Sequence, residues 1–203
     1  MIKRIFDIIV ALAGLLTLLP VLALLAVLVK TKLGSPIFFT QVRPGLNEKP
    51  FRMIKFRTMR ELYDSRGELL PDAARLTRFG SFLRSSSLDE LPELWNVLRG
   101  DMSLVGPRPL LMRYLDYFTD LERIRYRVRP GITGWAQING RNESGWDARL
   151  AHDVWYVQNQ SFLLDLKILT MTALRVVKSE GVVVDPSAKM LDLDEERKQG
   201  KAL

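Results

Sequence analysis

Apolar positions along the chain change character from one region to the next. Residues 5–29 form a nearly unbroken apolar run that would reach about 37 Å as one helix, against a hydrocarbon core of roughly 30 Å. Pro20 lies inside that run, where it removes an amide donor and crowds the carbonyl of Leu16, so the pattern predicts a helix broken or kinked there. Lys3 and Arg4 precede the run and Lys30 and Lys32 follow it, so neither flank has the shortage of positive charge expected of a translocated end. A straight transmembrane helix is the commoner outcome for such a run. A re-entrant segment that bends at Pro20 and returns to the face it entered accounts better for the basic flanks. Residues 30–35 offer no small-x-small site, which disfavours a cleaved signal peptide. Asp7 lies near enough to the interface to be solvated or paired with Arg4.

Further along, residues 36–41 and 51–57 predict short strands around the turn-forming Arg43-Pro44-Gly45-Leu46-Asn47. Helical periodicity follows at 76–84, 91–98, 110–127, 146–158 and 164–179. The last two carry Trp155, Tyr156 and Phe162 beside Lys167, Arg175 and Lys178. Core packing accounts for most of their apolar positions, and the rest suits amphipathic helices at a membrane interface. Residues 192–203 are charged, with Leu193 and Leu203 as the large apolar exceptions, and predict a mobile tail. The pattern therefore predicts an α/β fold, mostly helical with a small β-hairpin or sheet. It divides into a membrane segment at 1–32, one domain at 33–190 and a mobile charged tail at 191–203.

Composition narrows the chemistry. A net charge of +7 suits an anionic partner, whether nucleic acid, a lipid surface or a phosphorylated substrate. The chain has no cysteine, which excludes disulfides, thiol nucleophiles and cysteine-ligated zinc. Its one histidine, His152, reads as a surface residue of a helix, so a histidine triad or zinc cluster is disfavoured. Carboxylates and basic groups, with or without a divalent cation, are left to do the work.

Ser87-Leu88-Asp89-Glu90-Leu91-Pro92 has the spacing of a helix start, with Ser87 and Glu90 as a capping box and Asp89 at or beside the N-cap. Pro92 sits awkwardly for a helix beginning at Ser87 and favours a start one or two residues later. Downstream, Pro107-Arg108-Pro109 would present a planar guanidinium from a stiff loop, although a Gly-Pro turn with a solvated arginine has the same sequence. Lys55, Arg57 and Arg84 are ordinary face charges taken singly. With Asp89, Glu90 and Arg108 they suggest a diphosphate pocket. Between Arg129 and Asn142, three glycines alternate with polar side chains, of which Gln137, Asn139, Arg141 and Asn142 could contact a nucleotide or sugar. It is neither a Walker loop nor a dinucleotide fingerprint.

In combination these segments are specific. The apolar N-terminal run, Lys55-Phe56-Arg57-Thr58-Met59, the Ser87 to Pro92 motif, Gly100-Asp101-Met102-Ser103 through Pro109, and the Arg129 to Asn142 segment stand in the order found in bacterial sugar transferases. The sequence resembles these monotopic phosphoglycosyl transferases over roughly residues 1–180. Through Arg43 to Lys49 and Gly67 to Asp72 it is similar to the small initiating enzymes of bacterial protein N-glycosylation. The resemblance implies transfer of a sugar 1-phosphate from a UDP-sugar to undecaprenyl phosphate with release of UMP. Asp89 is then the nucleophile that forms a covalent phosphosugar, and Mg2+ is held beside it with Glu90 as metal ligand or proton handler. Lys55, Arg84 and Arg108 match phosphate-binding positions. A diacetamido sugar of the bacillosamine type is the first expectation for the substrate, with N-acetylhexosamine, galactose and glucose as alternatives. The implied setting is the cytoplasmic face of the bacterial inner membrane, with the catalytic domain at 33–190. Membrane phospholipids and later glycan-assembly enzymes are the expected partners, and nucleic acid is not.

One departure stands out. Family members often carry Ser-Pro at the helix break, where this chain has Leu19-Pro20, and Thr17 is the nearest hydroxyl that could substitute. Two rivals remain: a membrane-tethered basic protein that binds nucleic acid or acts as a scaffold, and a glycosyltransferase that moves the sugar alone and releases UDP. Salt-sensitive DNA binding would favour the first, and the released nucleotide identifies the second.

Overall fold

The structure, a computed structural model, describes residues 1–139, 145–178 and 191–200. In chain order it contains α1 (Ile2–Thr17), α2 (Leu19–Leu33), β1 (Phe38–Pro44), β2 (Pro50–Phe56), α3 (Asp72–Arg75), α4 (Arg78–Ser85), α5 (Glu93–Arg99), β3 (Ser103–Val105), β4 (Gly131–Thr133), α6 (Trp135–Ile138), α7 (Trp146–Gln158), α8 (Phe162–Lys178) and α9 (Leu193–Gly200). The fold is mostly helical with small sheets.

Pro20 shapes the first feature. The apolar run breaks into α1 and α2, bent by 63°, with the proline in the first turn of α2 where a missing amide costs no helical hydrogen bond. At 1.5 Å per residue the arms are about 24 Å and about 22 Å long, each short of a hydrocarbon core. No single helix among the described residues is long and apolar enough to cross a membrane. The Thr17 hydroxyl donates to the carbonyls of Ala13 (2.8 Å) and Gly14 (3.3 Å), in the turn before the bend.

Both outer ends of this V are held by the domain. Lys3 Nζ donates to Asp165 Oδ2 (2.6 Å) and to the Val105 carbonyl (3.0 Å). Arg4 donates to the carbonyls of Val97 and Leu98, at the end of α5 where the helix dipole favours a cation. Asp7 is neither solvated nor paired with Arg4; it is buried, accepting from Ser103 Oγ (2.8 Å) and the Leu104 amide (3.2 Å). On the other arm, Leu25, Val29 and Leu33 are buried in one cluster with Phe56 and Leu83. Leu12, Leu16, Leu19 and Leu24, around the bend, are exposed.

The predicted hairpin forms, with β1 and β2 antiparallel from the Phe38–Phe56 pair to the Pro44–Pro50 pair. Buried Asn96 of α5 stitches β2 to the helix: its Oδ1 accepts from the Ile54 amide (3.1 Å) and its Nδ2 donates to the Arg52 carbonyl (2.7 Å). A second sheet, absent from the sequence reading, pairs β3 and β4 in parallel. Glycine makes that pairing possible, since a Cβ on Gly106 would lie 2.3 Å from the Arg129 carbonyl oxygen and one on Gly131 only 2.1 Å from the Gly106 nitrogen.

The helix expected at 110–127 is replaced by two 3-10 turns, Met112–Tyr117 and Glu122–Arg127. Phe118 is extended between them, and Thr119 and Glu122 exchange hydrogen bonds as a capping box does, restarting the chain. Residues 146–158 are helical as predicted. α7 and α8 bury Trp146, Leu150, Val154, Tyr156 and Ile168, while Trp155, Phe162, Leu163 and Leu174 stay exposed. The expected mobile tail contains α9, anchored by Leu193, which is fully buried among Tyr114, Phe118, Tyr126, Trp146 and Leu150.

Candidate active site

Asp89 sits on the connection from α4 to α5. Ser87 takes the left-handed conformation (φ 56°), Leu88–Glu90 form one 3-10 turn, and α5 begins only at Glu93, with Pro92 ahead of it. The proline thus precedes the helix that it would have interrupted. Ser87 makes no side-chain cap, and the capping box read at Ser87 and Glu90 does not form. Glu90 is used differently: its Oε1 accepts from Lys55 Nζ (2.6 Å) and from Arg108 Nη2 (2.7 Å).

The two neighbouring carboxylates therefore occupy opposite electrostatic settings. Burial raises Asp89 to about 6, the Glu90 charge adds to this, and Lys55, Arg108 and Arg84 only partly offset it. Its carboxylate forms no hydrogen bond among the described residues. Burial works against ionisation of Glu90 too, but the charges and hydrogen bonds of Arg108 and Lys55 outweigh it and hold that group down at about 2. Glu93, which the sequence reading did not single out, is buried with Oε1 3.0 Å from Lys55 Nζ. Burial and the charge of Glu90 push it up to about 7, against Lys55 and Arg108.

These groups line a cavity of about 830 Å³. Lys55, Arg84, Arg108, Asp89, Glu90 and Gln137 all reach it, so the structure brings together most of the predicted site. Arg84 is exposed and donates to Thr58 Oγ1 (3.0 Å). Arg57 lines the cavity with its guanidinium committed to the Ser35 carbonyl (2.9 Å) and Glu61 (2.7 Å). Asn139 is outside the lining: it is exposed and donates to the Trp135 carbonyl (2.9 Å), closing its own turn. Arg141 and Asn142 lie outside the described residues.

Gln137 differs from every other predicted residue. It is 7% exposed, and neither Oε1 nor Nε2 of its amide has a hydrogen-bond partner among the described residues. A buried amide left unpaired costs about 1–3 kcal/mol, which a polar ligand would recover. Arg43, also missed, lines the same cavity; its Nε is buried without a partner among the described residues, and burial together with Arg108 lowers its pKa to about 10. Behind Arg108, buried Arg125 donates Nη2 to the Arg108 carbonyl (2.7 Å) and pairs with Asp153 (2.7 Å). Arg125 fixes the loop from which the Arg108 fork projects. Nothing in the local sequence separates Arg125 from the other basic residues at 123–129, so only its burial reveals it.

The sequence matches the bacterial sugar transferase family across residues 1–179. This chain is a bacterial sugar transferase. The transferase is 54% identical over 180 residues to the uncharacterized sugar transferase EpsL of Bacillus subtilis, covering 89% of each chain. It is 43% identical to the UDP-glucose:undecaprenyl-phosphate glucose-1-phosphate transferase of Xanthomonas campestris, covering 86% of this chain and 38% of that one. To the UDP-galactose-lipid carrier transferase of Erwinia amylovora it is 38% identical, covering 88% of this chain and 41% of the other. It thus spans well under half of those two longer relatives.

A magnesium site was expected at Asp89 and Glu90. Among the described residues of the transferase, no group of three or more acidic or histidine side chains is arranged to hold a cation. Mg2+ commonly takes one or two carboxylates and completes its shell with substrate phosphates and water. Asp89, with no donor on its carboxylate among the described residues, fits that donor set; Glu90 has already committed Oε1 to two cations.

Proposed function

We propose that this transferase moves a hexose 1-phosphate from a UDP-sugar to undecaprenyl phosphate and releases UMP. The observation that carries the reading is Asp89: a buried carboxylate without a hydrogen-bond partner among the described residues, opening on a cationic cavity, beside a glutamate already neutralised by two cations. An Asp89 oxygen attacks the phosphorus nearest the sugar, and the bridging bond to the other phosphate breaks, so that UMP leaves with its electron pair. An oxygen of the lipid phosphate then attacks the same phosphorus and expels the Asp89 carboxylate. Lys55 and Arg108 offset the charge that would otherwise repel a carboxylate from a diphosphate, and Glu90 holds both cations in place. Bound Mg2+, held by Asp89 and by Glu90 in part, would supply further charge neutralisation on the phosphates. Gln137 gives the donor a paired amide contact.

The relatives' names support glucose and galactose as the first sugars to test; the diacetamido sugar gains no support from them. The lipid acceptor gives the V of α1 and α2 its purpose. Its exposed tip would enter the cytoplasmic leaflet of the bacterial inner membrane and return, keeping the cavity at the headgroup plane. Tags before Met1 and after Leu203 should then both be cytoplasmic, and a periplasmic N-terminus would refute the re-entrant topology. The chemistry is tested by nucleotide release with undecaprenyl phosphate, Mg2+ and a panel of UDP-glucose, UDP-galactose, UDP-N-acetylhexosamines and UDP-diacetylbacillosamine. UMP release and a phosphosugar adduct on Asp89 are expected. Release of UDP, or no release with any donor, would overturn the proposal.

A further inference from the structure

The family match ends at residue 179, and α9 lies beyond it. That helix and the two residues before it grip three elements at once. Asp192 accepts from the Tyr114 hydroxyl (2.9 Å) and from Arg113, both in the 3-10 turn Met112–Tyr117. Arg197 pairs with Glu122 (2.7 Å) in the 3-10 turn Glu122–Arg127 and with Asp147 (2.6 Å) in the first turn of α7. The Trp146 indole donates to the Leu191 carbonyl (2.9 Å), and Leu193 fills the apolar space among all three elements. The ion pairs lie near the surface and contribute little singly, so the buried leucine dominates the docking.

Each gripped element continues into the cavity. The Met112–Tyr117 turn follows directly on Pro109, Leu110 and Leu111, which line it; the Glu122–Arg127 turn carries Arg125, which holds the Arg108 carbonyl; α7 contributes Trp146 and Arg149 to the lining. We infer that α9 is a clasp that positions the Arg108 wall of the cavity from outside, so that its docking sets the affinity for the phosphorylated donor without touching the reacting atoms.

The clasp rests on the reading that the donor occupies this cavity, and two measurements separate them. Wild-type enzyme that neither releases UMP nor gains thermal stability from added UMP would refute both. If UMP stabilises the wild type, Leu193→Asp should undock α9, seen as faster hydrogen exchange across 193–200. It should raise the donor KM about 5- to 10-fold, leave kcat and the acceptor KM nearly unchanged, and weaken stabilisation by UMP in proportion. Faster exchange with an unaltered donor KM, or a fall in kcat alone, would overturn the clasp. Should Leu193→Asp not fold, Arg197→Glu provides the milder break. Arg197→Lys keeps the positive charge that both Glu122 and Asp147 meet, and donor KM should rise in Arg197→Glu and stay near wild type in Arg197→Lys. Equal KM in all three proteins would overturn the inference.

Discussion

The part of the cavity built by Lys55, Glu90 and Arg108 and the part built by Arg43 and Gln137 solve opposite problems with similar residue types. In the first, both basic groups meet the Glu90 carboxylate at 2.6–2.7 Å, and the set braces itself without a ligand. In the second, the Gln137 amide and the Arg43 Nε are buried with no hydrogen-bond partner among the described residues. Satisfied polar groups fix geometry, and unsatisfied ones lower stability until something polar arrives. The contrast separates apparatus already in place from a surface left open to a polar ligand. Asp89 belongs to neither, being buried beside the braced set and left unpaired by it.

The sharpest break of this contrast is Asp89→Asn, which should lower turnover by at least about 10³-fold, because an amide is a poor nucleophile. Mass spectrometry should find no phosphosugar on the variant. Stability should move the other way. The carboxyl titrates near 6 in the fold against 3.8 as an ordinary aspartate, so its contribution to stability is full below about pH 4 and is lost as the pH rises through about 6. Asp89→Asn should therefore match the wild type at low pH and exceed it at pH 8, by on the order of 2 kcal/mol, read from denaturant midpoints. The same titration should make donor kcat/KM climb through about pH 6 as the nucleophile ionises. Unchanged turnover in Asp89→Asn would remove Asp89 from that role.

Next in size is Arg108→Lys, which keeps a charge and loses the fork. We expect activity to fall about 10²-fold with little change in melting temperature; unaltered kinetics would make Arg108 a solvated turn residue. Gln137→Leu tests the unpaired side. It should raise donor KM about tenfold while leaving the melting temperature unchanged or higher, since it removes a buried amide that has no partner. A lower melting temperature with unchanged KM would show that the amide serves the fold. Smallest of all, Asn139→Ala should alter kinetics less than about twofold, as its side chain closes a local turn and stays out of the cavity.

What the sequence made legible follows from how local each signal is. The hairpin, α7 and the break at Pro20 depend on residues close together in the chain, and all three appear. Asp89, Glu90, Lys55, Arg84, Arg108 and Gln137 were found through motifs and do meet at one cavity. The parallel pairing of β3 and β4 was hidden, because three-residue strands carry almost no periodicity and their partnership is set by close backbone approach at Gly106 and Gly131. Residues 110–127 have helical spacing, yet the Thr119–Glu122 exchange favours a restart over continuation. Glu93 and Arg125 look like surface charges until their burial is known. Leu193, one apolar residue in a charged stretch, gives no hint that a pocket of aromatic rings is shaped to receive it.

The pinned ends of the V carry a consequence for the order of synthesis. Lys3 finds its carboxylate partner in Asp165, 162 residues later, and Asp7 waits for Ser103 and Leu104. At roughly 5–20 residues per second, the first helix is made about 8 to 32 s before Asp165 exists. Through that interval it is an apolar segment with an unanswered lysine and aspartate. On the proposed re-entrant topology a lipid surface is the first partner on offer, so insertion would precede completion of the fold and the domain would assemble last, onto the inserted helix.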